Sequence, residues 1–262
     1  MLNIIVCIKQ VLDPEAPTSA YKVDDETNRM IQKGVPPVMS PFDENALEAA
    51  LRIKDVHQSK ITVLSLGRNL SKAVLRKSLA AGADELILLE DDAFDDLDSY
   101  TTASILSTAI IKIGEYDIIL AGIQAADSNA GVVGSGIAEI LDIPSITTVR
   151  KVELDDGKLM VEQVLSDGYE VIEMSLPALI TVSNELGELR SVALREIMAA
   201  QKKPLTTWSA ENLGVDPLPM RRTRLLKLFI PQKESRCEMV PGETAEELGA
   251  NLASKLREAQ II

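Results

Sequence analysis

The chain has 262 residues, 46% of them hydrophobic, and a formal net charge of -13. That length supplies one large domain, or one and a half, with a real core. The negative charge speaks against a nucleic-acid partner, which needs a concentrated positive field, and 3% aromatic content speaks against a base-stacking platform.

Leu2 to Ile8 is a short continuous apolar run and predicts a strand covered on both faces. The opening "MLNIIVCIKQ" lacks the basic leader of a signal peptide. No apolar run approaches the roughly 20 residues needed to span a bilayer, so no membrane insertion and a cytoplasmic location are expected. Cys7 and Cys237, far apart and outside any CxxC pattern, fit a reducing compartment. Residues 21–32 alternate around a polar turn and predict a hairpin. In "SPFDENALEAALRIKDV", Pro41 sets an extended lead-in and Asp43 is the expected N-cap. Ala46, Leu47, Ala50, Leu51 and Ile53 then give one apolar helical face. His57, the only histidine, follows that helix and fits a solvated C-terminal position. "KITVLSLG" is a second core strand, and "SKAVLRKSLAAGAD" a helix stopped by Gly82.

"ELILLE" predicts a third strand, "DDAFDDLD" a solvated acidic loop, and residues 99–114 a third helix. "YDIILAG" is a fourth strand, followed by a helix over 132–141, and "PSITTV" is a fifth strand. Asp156–Gly157 and Asp167–Gly168 then predict antiparallel hairpins. "SVALREIMAAQKKP" reads as a short helix ended by Pro204. Residues 205–243 show little periodicity and read as an extended arm carrying the basic cluster Arg221–Arg222–Thr223–Arg224. A final amphipathic helix is capped by Thr244 with Glu247, and striped by Leu248, Leu252 and Leu256.

Alternation of strand and helix to about residue 148 predicts an α/β fold: a doubly wound, mostly parallel sheet with antiparallel hairpin additions and a C-terminal arm ending in a helix. Residues 1–204 would be the body and 205–262 the arm. In such sheets a ligand sits beyond the carboxyl ends of the strands, at the switch point. Three strand ends turn through small or polar residues: "CIKQV", "LSLGRN" and "AGIQAADSN".

The stretch "GIQAADSNAGVVGSG", residues 122–136, is neither a P-loop nor GxGxxG. Its offer is backbone N–H groups at a helix N-terminus, freed by glycines for close approach to a phosphate. Asp127, Ser128 and Asn129 would orient those amides or bind a ribose hydroxyl. A capped helix with a glycine turn and no ligand fits the same residues. No nucleophile–base pair and no metal cage stand beside it, so no catalytic residue is expected.

The segments "IIVCIKQV", "GVPPVMSPFDENALEAALRIKD", "VLSLG", "KSLAAGADELILL", "YDIILAGIQAADSNAGVVG", "ELGELRSVALREIMAAQKK" and "LGVD" cover residues 1 to about 216. In this order they resemble the beta (small) subunit of electron transfer flavoproteins, the FixA-like family. The resemblance implies an adenine-nucleotide-hydrolase-like fold and a heterodimer with an alpha subunit that carries FAD. It also implies a flavin-dependent dehydrogenase partner, such as an acyl-CoA dehydrogenase, and an electron carrier rather than an enzyme. The nucleotide in this subunit would be AMP, held structurally. The alternative is the bifurcating type, in which a second FAD, reduced by NADH, takes that place. Carried onto this sequence, the contacts would be Cys7, Ser40, Pro41, Phe42, Asp43, Leu66, Gly67, Gly122, Gln124, Ala125, Asp127, Ser128, Asn129, Ala130, Gly131, Val132, Val133 and Gly134. The partner-recognition loop would span about 183–203, with Leu194 as its apolar anchor and Lys202 and Lys203 as rim charges. Bifurcating members read like DGDTAQVGP in the opening motif and AMP-holding members nearer DDDCNQTG; residues 127–134 match neither. A nucleotide-binding regulatory protein of the same fold, without electron transfer, is the remaining alternative.

Overall fold

The apolar run at the start of the chain becomes the centre of a large sheet. In the computed structural model, which describes residues 1–231 and 237–262, β1 (Leu2–Cys7) pairs in parallel with β6 (Ser59–Gly67) on one side and β8 (Ile118–Gly122) on the other. Between β1 and β6 lie β2 (Gln10–Val11), the predicted hairpin β3 (Tyr21–Asp24) and β4 (Arg29–Gln32), β5 (Val38–Met39) and helix α1 (Pro41–Val56). Helix α2 (Lys72–Ala81) stops at Gly82, whose φ of 136° suits a glycine. It leads to β7 (Glu85–Glu90), and α3 (Ser99–Ile113) carries the chain back to β8.

Helix α4 (Val133–Leu141) follows, then β9 (Ser145–Asp155), β10 (Lys158–Leu165) and β11 (Gly168–Met174), joined by the two Asp–Gly turns. β12 (Ala178–Val182) inserts between β8 and β9. Helix α5 (Leu194–Ala200), β13 (Leu205–Trp208) and the single turn α6 (Ala210–Leu213) complete the first compact unit, Met1–Leu228. The strand order is β11-β10-β9-β12-β8-β1-β6-β7-β13. Within this sheet, among the described residues, only the β9–β10–β11 ladder is antiparallel; β2–β5 and β3–β4 form two small antiparallel pairs outside it. The connections run outward from β1 in both directions, so the switch point lies at β1 and β8.

Alternate residues of each central strand face opposite layers. Ile4, Val6, Val63 and Leu120 pack against Leu47, Leu51, Leu75 and Leu79 of α1 and α2. Ile5, Leu64, Leu89 and Ile119 pack against Ile105, Ile110 and Ile137 of α3 and α4. Burial on both faces is what a parallel sheet demands and explains the unbroken apolar runs.

Three expectations change. Helix α1 starts at Pro41 with Ser40 in the N-cap position, so Asp43 lies inside the first turn and caps nothing. The acidic loop is anchored rather than solvated: Phe94 is 3% exposed. The Asp91 carboxylate accepts from Ala93 N and Ala210 N, both at 3.0 Å. The chain after 204 is not an arm at first, because Leu205–Trp208 pairs in parallel with Leu86–Leu89 and extends the sheet. The boundary between compact units falls at 228/229.

The second unit, Phe229–Ile262, contains α7 (Ala245–Glu258). Thr244 caps it through Oγ1, which accepts from Glu247 N at 3.2 Å. The Glu247 side chain accepts from Glu243 N at 2.9 Å, one residue before the expected partner. No residue of α7 is buried.

Candidate functional site

A cavity of about 470 Å³ opens beyond the carboxyl ends of β1, β6 and β8. It brings together Cys7, Asp43, Leu66, Gly67, Gly122, Gln124, Ala125, Ser128, Ala130, Gly131, Val132, Val133 and Gly134. Ser40, Pro41, Phe42, Asp127 and Asn129 do not line it. Ser40 is buried, and its Oγ accepts from Ala126 N at 3.3 Å, holding the 122–134 loop down on α1. Asp127 pairs with Lys9 across the mouth, Nζ to Oδ2 at 2.7 Å. Asn129 turns the loop with φ 50°.

Asp43 ties the floor together. Its Oδ2 accepts from Lys9 N at 2.7 Å and its Oδ1 from Gly122 N at 3.0 Å. Burial pushes its pKa up to about 7; these two N–H groups and the Lys9 charge pull the other way, and the Asp127 charge adds to the rise. Cys7 beside it is pushed up to about 12, by burial first and the Asp43 charge second. A thiol so protected is no nucleophile.

The wall opposite Asp43 was missed by the sequence reading. It includes Phe94, Asp96, Leu97, Asp98, Thr102 and Thr223. Asp98 caps α3 through Thr101 N at 2.8 Å and also takes Thr223 N at 2.7 Å. Burial works against its charge, yet these N–H groups hold its carboxyl well below the usual range. Asp95 pairs with Arg29 and with Arg68, the latter at 3.0 Å. The local signal was present: Asp98 precedes a helix and has an N–H three residues on to accept from.

Helix α4 supplies the anion-binding feature. Its N-cap, Val132, has no side chain able to cap it, and its first turn holds no acidic residue. Val132, Val133 and Gly134 line the cavity, so the free N–H groups of that turn border it. Of the glycines expected to permit close approach, only Gly131 needs its conformation, with φ 65°. Gly134 and Gly136 instead make room for packing. A Cβ at Gly134 would lie 2.5 Å from Thr181 Cγ2, and one at Gly136 would lie 3.0 Å from Ala103 Cβ.

On the other side of the sheet, Leu194 opens α5 and is 73% exposed, with Ile197 and Met198 at 46% and 67%. Lys203 is not a rim charge. Its Nζ donates to Leu79 O at 2.8 Å and Ala83 O at 2.6 Å, at the end of α2. Among the described residues no helix is long and apolar enough to cross a membrane, and no three His, Cys, Asp or Glu residues are grouped to hold a metal.

A doubly wound sheet with a cavity at its switch point and a bare helix terminus beside it defines an α/β protein of the strand-end ligand-binding class. The electron transfer flavoprotein domain matches residues 27–213, and the chain belongs to that family as a beta-subunit or FixA-like member. It is similar to the caffeyl-CoA reductase-Etf complex subunit CarD of Acetobacterium woodii, 40% identical over 266 residues and all of both chains. Similarity to the electron transfer flavoprotein subunit beta of Thermoanaerobacterium thermosaccharolyticum is 41%, again over all of both chains. Protein FixA of Azorhizobium caulinodans is 37% identical over 83% of this chain and 78% of its own.

Proposed function

We propose that this chain is the small subunit of a heterodimeric electron transfer flavoprotein, holding AMP structurally in the strand-end cavity. The bare N-terminus of α4 beside that cavity carries the reading. A helix start without a cap or acidic first turn leaves N–H donors and a positive dipole end for a phosphate. The residues present suit an adenine nucleotide. The α4 turn would hold phosphate, Ser128 and Gln124 a ribose, and the Leu66–Leu70 wall a base.

FAD in the alpha subunit supplies the one-electron and two-electron chemistry. This chain would contribute nucleotide binding, subunit association and partner docking. The exposed stripe Leu248 and Leu252 on α7 supports packing of the C-terminal segment on an alpha subunit. The exposed crest of Leu194, Ile197 and Met198 supports docking of a flavin-dependent dehydrogenase such as an acyl-CoA dehydrogenase. The relative named for a caffeyl-CoA reductase-Etf complex fits a partner that handles acyl-CoA.

A second reading places FAD in the same cavity. The apolar lining of Phe94, Leu97 and Leu106 favours it, because a second ring system would cover that wall. The test is to co-express both subunits, denature the purified heterodimer and quantify nucleotides. One FAD and one AMP per heterodimer support the first reading; two FAD and no AMP support the second. FAD alone at one per heterodimer removes the nucleotide from this subunit.

A further inference from the structure

The segment that leads to α5 is held from below by charge as well as by the apolar side chains of Leu186, Leu189 and Val192. Arg190 is the centre of that hold. Its Nε and Nη2 donate to the two oxygens of Glu48 at 3.0 and 3.1 Å, and its backbone N reaches Glu48 Oε2 at 3.1 Å. The same guanidinium donates to Asp55 at 2.8 and 3.2 Å. Glu48 and Asp55 lie seven residues apart on α1, two helical turns, and so share the face that the guanidinium spans. The Glu48 side chain is 7% exposed. Burial works to raise its pKa, and the hydrogen bonds from Arg190 and Arg52 outweigh it and hold the carboxyl below its ordinary range.

Other contacts flank this one. Asn45 Nδ2 donates to Gly187 O at 2.6 Å, and at the far end Arg76 donates to Ala200 O at 2.8 Å. Leu189 and Val192 turn inward against the α1–α2 core. Above them stand Leu194, Ile197 and Met198, exposed and covered by nothing else in the unit. A short apolar crest on a seven-residue helix has little rigidity of its own. Its far end is seated on α2 by buried Ala200 and by the Arg76 and Lys203 bonds. Its near end is set by the segment before it, where, among the described residues, the only charged side chain with partners on α1 is Arg190.

We infer that Arg190, clamped by Glu48 and Asp55 of α1, is the positioning residue that pre-organises the Leu194 crest for its partner. The inference rests on the docking reading above. Pre-organisation lowers the ordering cost of association, so loss of the clamp weakens capture of the partner rather than the electron transfer that follows.

The test uses the co-expressed heterodimer and an acyl-CoA dehydrogenase that exchanges electrons with the wild-type protein. Arg190→Ala and Glu48→Gln, on opposite sides of the clamp, are each expected to raise hydrogen exchange over residues 188–200 by about tenfold, the size of one lost charge-assisted bond set. They are expected to raise KM for the dehydrogenase by a similar factor, with kcat and bound nucleotide unchanged. Arg190→Lys, which keeps the charge but not the fork, should fall between. Wild-type exchange over 188–200 in both variants overturns the inference, as does raised exchange with an unchanged KM. Leu194→Ala separates the two readings. If it raises KM and Arg190→Ala does not, docking stands and the positioning role falls. If it leaves KM unchanged, the docking reading falls and Arg190 is reduced to a structural clamp.

Discussion

Asp43 and Gly122, 79 positions apart in the sequence, meet at 3.0 Å, carboxylate oxygen to backbone N–H. The contact joins the first turn of α1 to the end of β8 at the floor of the cavity. It is possible only because Gly122 has no side chain: a Cβ there would lie 2.5 Å from Asp43 Oδ1 and 2.7 Å from the Phe42 backbone carbon.

Gly122→Ala should therefore be costly. The neighbouring backbone cannot retreat without moving α1, so the variant is expected to lose roughly 1–3 kcal/mol of stability. Bound nucleotide should fall with it. Urea unfolding and nucleotide release on the same preparation check both; a variant as stable as wild type would mean that α1 yields.

Asp43 gives a pH dependence of definite sign. Its folded pKa of about 7 lies above the ordinary carboxylate value, so between about pH 4 and 7 the folded state binds more protons than the unfolded one. The contribution of Asp43 to stability is fully present below pH 4 and is lost as pH rises through 7. Asp43→Asn should lack this slope. Urea titrations of both proteins at half-unit pH steps, compared as a difference curve, measure it directly.

Val132→Asp should move stability and nucleotide binding in opposite directions. An acidic side chain at the bare N-cap of α4 supplies the missing acceptor, worth roughly 0.5–2 kcal/mol to the free protein. The same charge occupies the helix terminus and repels a phosphate. A higher midpoint of thermal unfolding together with lost nucleotide is the expected pair. If nucleotide retention were untouched, the phosphate would have to lie elsewhere.

Lys203 and Lys202 should separate cleanly. Lys203→Ala removes two donors from the carbonyls at the end of α2 and is expected to cost roughly 1–2 kcal/mol. Lys202 is exposed, and Lys202→Ala should leave stability alone and alter only the salt dependence of partner association. Thermal unfolding and association rates at two ionic strengths distinguish them.

Elements governed by local pattern were legible in the sequence. The central strands announce themselves as unbroken apolar runs because both faces are covered. The Asp–Gly turns mark the β9–β10–β11 ladder because their backbone demands it. Long-range partners were not legible. Asp43 carries the local features of a cap, while its real acceptor role serves Lys9 and Gly122. The acidic loop looks solvated because nothing nearby in sequence shows that Arg29, Arg68 and Thr223 converge on it. β13 is four residues long, with Leu205 and Trp208 only half-buried, too short for a period to show. The strand-end cavity followed from topology and chain order; its far wall did not.

The chain between β12 and β13 has both ends built into one sheet, five strand positions apart. At the usual spacing of about 4.8 Å between neighbouring strands, the gap is on the order of 24 Å. This connection behaves as a bridge of fixed span rather than as a loop. Residues at its crest can be exchanged without disturbing either abutment, so the surface offered to the outside can be rewritten freely. Its length is another matter: one residue more or less between Arg190 and Leu194 would turn the crest away from the face that the clamp sets, while both ends of the bridge stayed paired in the sheet.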